Sequence, residues 1–145
     1  MKKLIYLWMI ILINLLTLIT LSSCGPKSPS VSDIWARPGI AAGNSAVYLV
    51  LANPTEQNVI LQSAESAVAQ SVELHMSQMM EDGTMSMQKQ ESVLVPANST
   101  IEFKPGGLHI MLINLVDDLT PGESFELTIN FQNNSVTVDV IVQEP

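Results

Sequence analysis

The chain has a single cysteine, Cys24, among its 145 residues. Cys24 directly follows an apolar N-terminal segment, at a position where it would carry a lipid, and no thiol follows it in the sequence. The remainder of the chain therefore cannot form a disulfide, supply a thiolate nucleophile or bind a metal through cysteine sulfur. A blue-copper electron-transfer site is excluded as well, because it needs a cysteine thiolate beside two histidines.

Basic residues are scarce: six Lys and Arg stand against fourteen Asp and Glu, for a formal net charge of −8. Removal of Lys2 and Lys3 with the N-terminal segment would leave four basic residues and a net charge of −10. Such a chain cannot neutralise the phosphates of a nucleic acid. An acidic domain instead suits a protein that collects cations or docks on a basic partner.

The N-terminal segment has the features of a lipoprotein signal. Lys2 and Lys3 precede an apolar run over residues 4–19, which ends in the lipobox Leu21-Ser22-Ser23-Cys24. We predict a signal peptide at residues 1–23, lipidation of Cys24, and a Pro- and Ser-rich tether at residues 24–32. The polar Asn14 within the run argues against the alternative, a permanent transmembrane helix. The protein is thus expected to be an extracytoplasmic lipoprotein, on the periplasmic side or the cell surface, held to the membrane by its lipid anchor.

Residues 33–145 have the length of one domain and the pattern of an all-β fold. Short runs of Val, Ile, Leu, Thr and Phe recur about every ten residues between turn residues. Alternating apolar residues at 124–131 and 135–142 predict an antiparallel hairpin with one face on the core. The predicted strands are 34–37, 45–52, 58–64, 71–79, 85–90, 100–103, 108–114, 124–131 and 135–142.

Histidine and methionine cluster in the sequence. Six methionines follow the signal segment, and five of them lie within residues 76–87, after His75. Methionine often fills irregular gaps in a core, but the neighbours of this stretch are polar, which predicts exposed thioethers. The members of this group are Met76, Met79, Met80, Met85 and Met87.

The second histidine, His109, stands two residues before Met111 in a predicted strand. Residues two apart in a strand project from the same face, so both side chains can bind one ion. Imidazole together with thioether sulfur favours Cu(I) over Zn(II), Ca(II) and Mg(II). Met76, Met79, Met80 and Met85 are candidate auxiliary thioethers, and Glu73 could orient the ring of His75 by a hydrogen bond.

The spacing of these residues resembles a family signature. His75-Met76 is followed by ten residues and Met87, then by twenty-one residues and His109-Ile110-Met111. This arrangement is similar to that of the periplasmic copper chaperones that supply the CuA centre of cytochrome c oxidase, the PCu(A)C family. The segments around Trp35 and around Lys104 also resemble the family, and the resemblance extends from Asp33 to the end of the sequence.

The resemblance implies a cupredoxin-like Greek-key β-sandwich of about eight or nine strands. It also implies one Cu(I) ion held by His75, Met87, His109 and Met111. The ion would be delivered to a recipient such as cytochrome c oxidase subunit II or another oxidase assembly factor. Relatives often carry a tail rich in His and Met that can bind a second copper; the sequence ends at Pro145 without one, so we expect a single site.

This ligand set places a condition on the loop around Asp82-Gly83. In a hairpin with these two residues as its turn, residue 75 would pair with residue 90 and residue 87 with residue 78. His75 and Met87 would then point to opposite faces. Sharing one ion requires an odd-length loop, a bulge between Met80 and Met85, or Met87 outside the regular pairing.

Two other functions are consistent with the sequence. The same Cu(I) site would serve a protein that sequesters copper for resistance. Alternatively, the chain is a membrane-anchored structural or adhesive sandwich in which the pattern of His and Met has no metal role. An enzyme is disfavoured, because two histidines are too few for most copper redox sites and no nucleophile-elbow motif of a serine hydrolase is present.

Overall fold

The computed structural model describes residues 28–144. Cys24, the predicted signal peptide and the start of the predicted tether lie outside the described residues. Inside them, no helix has the length and apolar character needed to cross a membrane. Ten strands are present: β1 (Ser30–Ala36), β2 (Ser45–Asn53), β3 (Val59–Glu65), β4 (Ala69–Met79), β5 (Met85–Gln90), β6 (Val93–Val95), β7 (Ser99–Phe103), β8 (Leu108–Leu115), β9 (Ser124–Phe131) and β10 (Ser135–Val142).

The strands form one hydrogen-bonded path in the order β5-β4-β8-β2-β1-β10-β9-β3-β6, and β7 also pairs with β2. All pairs are antiparallel except β1 with β10. Buried side chains from both halves of this path, such as Ile110 and Leu127, belong to one core cluster. The all-β prediction is confirmed, with ten strands instead of eight or nine.

The predicted hairpin of β9 and β10 is present. Phe125 pairs with Val140, and Ser135 pairs with Asn130. Phe125, Leu127 and Ile129 are buried while the residues between them are more exposed, with Asn130 and Thr128 on the outer face. Alternation predicted this hairpin because one of its faces meets the core and the other meets solvent.

Two features of the strands differ from the prediction. The first strand begins at Ser30, which pairs with Ala52, so residues 30–32 belong to β1 and the strand starts before the predicted residue 34. Asp33 adopts a positive φ of 49°, and the register of β1 on β2 shifts between Ser32 and Trp35. This bulge interrupts the two-residue alternation that marks a strand. The second feature is β6, whose three residues pair with β3 and are too few for a periodic pattern.

The β4–β5 hairpin closes with an odd-length loop. The amide of Met80 donates to the carbonyl of Thr84 at 2.8 Å, which leaves three loop residues, 81–83. Gly83 has a φ of 82°, a left-handed conformation that glycine adopts without a steric penalty. Consequently His75 pairs with Lys89 and Ser77 with Met87. His75 and Met87 therefore lie on the same face, as the shared site requires.

Thr84 stabilises this loop by donating two hydrogen bonds to Asp82 Oδ1, from its hydroxyl at 2.6 Å and its amide at 2.9 Å. These bonds, the hydroxyl first, hold the pKa of Asp82 below its ordinary value of 3.8. At pH values above the ordinary pKa, the ionised side chain of Asp82 stabilises the hairpin. This stabilisation is lost as the pH falls through the lower pKa of the folded state. In an NMR titration, Asp82 should titrate below pH 3.8. Thr84→Val should move the titration midpoint of Asp82 upward. An unmoved midpoint would show that the hydroxyl of Thr84 does not lower this pKa.

Candidate metal centre

The candidate ligands lie on one face of the three neighbouring strands β5, β4 and β8. His75 on β4 stands opposite His109 on β8, and Met111 stands opposite Glu73. Met87 on β5 stands opposite Ser77, two residues from His75. Since side chains two apart share a face, strand pairing alone brings all four predicted residues to the same side of the sheet.

His75 is held by a charged neighbour. Glu73 Oε2 lies 2.9 Å from His75 Nε2, and Lys89 Nζ donates to Glu73 Oε1 at 2.8 Å. The hydrogen bonds from His75 and then Lys89 keep the pKa of Glu73 below its ordinary value, so this carboxylate is ionised at neutral pH. An ionised acceptor at Nε2 favours the tautomer with a proton on that nitrogen. The lone pair is then on Nδ1, which is buried and has no hydrogen-bond partner.

His109 is oriented by the backbone. Its side chain is buried, and Nδ1 lies 2.9 Å from the carbonyl oxygen of Gly107. A carbonyl only accepts, so Nδ1 carries the proton and the lone pair of Nε2 is free for a metal. The two imidazole centroids are 5.9 Å apart, and the ring of Tyr48 lies 6.4 Å from His109 on its other side.

The two thioethers border a depression of about 430 Å³ that His109 also lines. Met87 is 60% exposed, whereas Met111 is partly buried. Between Met87 and His109 the sheet carries Ser77, whose amide donates to the carbonyl of Gly107 at 3.0 Å. Ser77 lines the depression, and its small side chain leaves room between Met87 and His109.

The other methionines separate into distinct environments. Met76 faces inward and packs against the core, so it is scaffold. Met85 lines the same depression as Met87, while Met79 is 72% exposed at the end of β4. Sequence reasoning did not identify Ser77 or Tyr48 as parts of the site. Ser77 could have been found from its spacing, since it alternates with His75 along the strand.

The donor set decides which metals fit. Within residues 28–144, no group of three or more His, Cys, Asp or Glu side chains is arranged to hold a metal. Zinc, calcium and magnesium sites are built from such groups. Two neutral imidazole nitrogens with thioether sulfurs suit a soft monovalent ion such as Cu(I). The buried lone pair of His75 Nδ1, which lacks a protein partner, is consistent with a ligand that binds there.

The family model "LpqE-like", described as "Putative lipoprotein LpqE-like", matches residues 30–142, which include every strand of the domain. The chain belongs to the LpqE-like family. The match begins at residue 30, which is the first residue of β1.

Curated relatives of this LpqE-like protein come from two bacteria. "Uncharacterized protein RP573" of Rickettsia prowazekii is 33% identical over 106 residues, 70% of this chain and 58% of the relative. "Putative lipoprotein Lxx21020" of Leifsonia xyli subsp. xyli is 32% identical over 108 residues, 74% of this chain and 64% of the relative. The chain thus spans about three fifths of the length of these relatives.

Solved structures of PCuAC domains share the fold. The "Copper-bound PCuAC domain from PmoF2" superposes with a TM-score of 0.68 at 22% identity, covering 81% of this chain and 93% of that domain. The solution structure of "CuI-DR1885" from Deinococcus radiodurans gives 0.64 at 24% identity, covering 86% and 85%. These likenesses confirm the fold that the resemblance to the PCu(A)C family implied.

Proposed function

We propose that this LpqE-like protein is an extracytoplasmic Cu(I) chaperone that is anchored to the membrane through a lipid on Cys24. It binds one Cu(I) ion through His75, Met87, His109 and Met111 and releases it to a copper-requiring protein. The copper is cargo, and the protein has no catalytic role. The recipient is the CuA centre of cytochrome c oxidase, reached through oxidase subunit II or another assembly factor.

The observation that carries this proposal is the orphaned Nδ1 of His75. A buried nitrogen without a hydrogen bond costs free energy, on the order of 1–3 kcal/mol. Coordination to a metal would remove that cost. Glu73 and Gly107 each occupy the other nitrogen of a histidine, which leaves one lone pair on each ring for the ion.

The names of similar proteins also support the proposal. The names of two matched structures refer to copper, as a copper-bound PCuAC domain and as a Cu(I) form. The family model and one curated relative carry the word lipoprotein, which supports lipidation of Cys24 and a location outside the cytoplasm.

The exposure of Met87 favours delivery over storage. A side chain that is 60% exposed can leave the ion and be replaced by a ligand of another protein. Neutral ligands also hold a monovalent ion without a strong charge attraction, and this makes exchange easier. A sequestering protein would gain from burying its ligands instead.

The first test is an anaerobic titration of the full-length chain in detergent with Cu(I), against a chromogenic chelator. One equivalent should bind tightly. Ser77→Leu should weaken binding, because a larger side chain fills the space between Met87 and His109. Gln78→Leu is the matched control, since Gln78 is exposed on the opposite face of β4 and should leave the affinity unchanged. Equal affinities for both variants would contradict the proposed geometry.

A deletion experiment separates delivery from sequestration. Loss of cytochrome c oxidase activity that added copper restores would support delivery to the oxidase. Copper sensitivity with normal oxidase activity would support sequestration by the same site. Neither phenotype, combined with no Cu(I) binding in the titration, would support a structural or adhesive role.

A further inference from the structure

The β4–β5 hairpin carries half of the large apolar side chains that are exposed in the described domain. Of the eight large apolar side chains that are exposed within residues 28–144, four are the methionines of this hairpin: Met79, Met80, Met85 and Met87. Single exposed apolar residues are ordinary. Four methionines on one hairpin are a local concentration, and none of these four belongs to the core cluster.

Strand pairing places two of these methionines side by side. Met79 stands directly opposite Met85 as the last pair of the ladder. Directly opposed residues have Cβ atoms about 4.5–5.5 Å apart. Methionine has three rotatable side-chain bonds, so both sulfurs can reach a single ion between them. Met79 is 72% exposed and Met85 51%, which leaves this pair open to solvent.

The pair lies on the same face as the proposed Cu(I) site and next to it. Met85 precedes Met87 by two residues, a rise of about 7 Å along the strand. Met85 and Met87 both line the depression that contains His109 and Met111. Met80 comes from the same tip, but alternation turns it toward the opposite face.

We infer that Met79 and Met85 form a second, weaker binding site for Cu(I) at the hairpin tip, from which the ion passes through Met87 to the histidines. The metal remains Cu(I) throughout, and each move exchanges one thioether ligand for the next. This inference rests on the proposed function for the destination of the ion, but binding at the tip does not depend on it.

The chemistry of the tip selects a soft ion. Two thioethers bind Cu(I) in preference to the hard divalent cations. Glu81 and Asp82 in the adjoining loop are exposed, and their carboxylates raise the local concentration of cations. The hydrogen bonds from Thr84 to Asp82 fix the loop, so the facing positions of Met79 and Met85 are set before an ion arrives.

The test uses the full-length chain in detergent, with anaerobic Cu(I) as the probe and chelators of graded affinity as competitors. We expect a second, weaker equivalent after the tight one. Met79→Leu combined with Met85→Leu should remove the weak equivalent and leave the tight one unchanged. Met80→Leu is the matched control and should leave both equivalents in place. Leucine preserves the apolar surface, so any loss reports the sulfur atoms.

Combining Met79→Leu and Met85→Leu with His109→Ala and Met111→Leu separates this inference from the proposed function. A chain with only His109→Ala and Met111→Leu should still bind the weak equivalent, with sulfur-only coordination in X-ray absorption. Adding Met79→Leu and Met85→Leu should abolish this binding. Weak binding that survives both leucines would overturn the inference, as would a wild-type chain that binds no second equivalent. The second result would leave the exposed methionines as an apolar contact surface.

Discussion

Replacement of His109 by alanine together with Met111 by leucine is expected to abolish stoichiometric binding of Cu(I). The two residues project from one face of β8 and supply a nitrogen and a sulfur to the same ion. Loss of a hydrogen-bond partner behind a metal ligand typically costs about 10- to 100-fold in affinity. Removing two of four ligands should exceed that range. The measurement is competition with a chromogenic Cu(I) chelator in the absence of oxygen.

Controls are needed because His109 is buried and its removal leaves a cavity. Met76→Leu makes the same change of side chain on the adjacent strand, but Met76 packs toward the core, so Cu(I) affinity should not change. Met111→Leu alone retains His109 and should lower the affinity for Cu(I). Its thermal unfolding midpoint should stay close to that of the unmodified chain. A double variant that still bound one equivalent with unaltered affinity would exclude the proposed ligand set.

Sequence periodicity predicted those strands that have one face on the core and one in solvent. The bounds of β5, β9 and β10 agree with the prediction at both ends. It failed at β1, where the bulge near Asp33 places Val31 and Ile34, three residues apart, against the same core. It also missed β6, because a three-residue strand has no period to detect.

The site divides in the same way. His109 and Met111 are two residues apart in one strand, so the sequence alone predicts that their side chains share a face. The face of Met87 relative to His75 depends on the number of residues in the connecting loop. From the sequence, an odd-length loop could be given only as one of the conditions that would place both side chains on one face. The three-residue loop, with Gly83 in a left-handed conformation, meets this condition. The hydrogen bonds that select the histidine tautomers are tertiary contacts that no spacing could specify.

The loop therefore controls the chemistry of the site. A slip of one residue between β4 and β5 would turn Met87 to the opposite face and leave the histidines with one thioether. Asp82, Gly83 and Thr84 fix the loop at three residues. A short polar segment without metal ligands thus determines whether two distant parts of the sequence meet around one ion.

At the C-terminal end of β2, replacement of Asn53 by aspartate is expected to destabilise the fold by about 3 kcal/mol. The Asn53 side chain is buried, and the two hydrogens of its Nδ2 are shared among three carbonyl oxygens, those of Gln57 at 2.8 Å, Pro96 at 3.0 Å and Val95 at 3.1 Å. Aspartate has nearly the same shape, but as a carboxylate it donates nothing and faces these oxygens with a negative charge. The buried carbonyl of Val95 left without this donor costs about 1–3 kcal/mol, and the negative charge that faces the three oxygens adds to the cost.

Urea unfolding at neutral pH measures this loss, and Thr55→Val provides the comparison. Thr55 donates its hydroxyl to Asn53 Oδ1 at 2.7 Å, so its removal deletes one acceptor contact and should cost about 0.5–1.5 kcal/mol. Asn53 and Ala46, which pairs with Met111, are seven residues apart on β2, a distance of about 23 Å. The folded fraction of Asn53→Asp should therefore bind Cu(I) with unchanged affinity. A variant as stable as the original chain would show that the three carbonyls do not depend on Asn53.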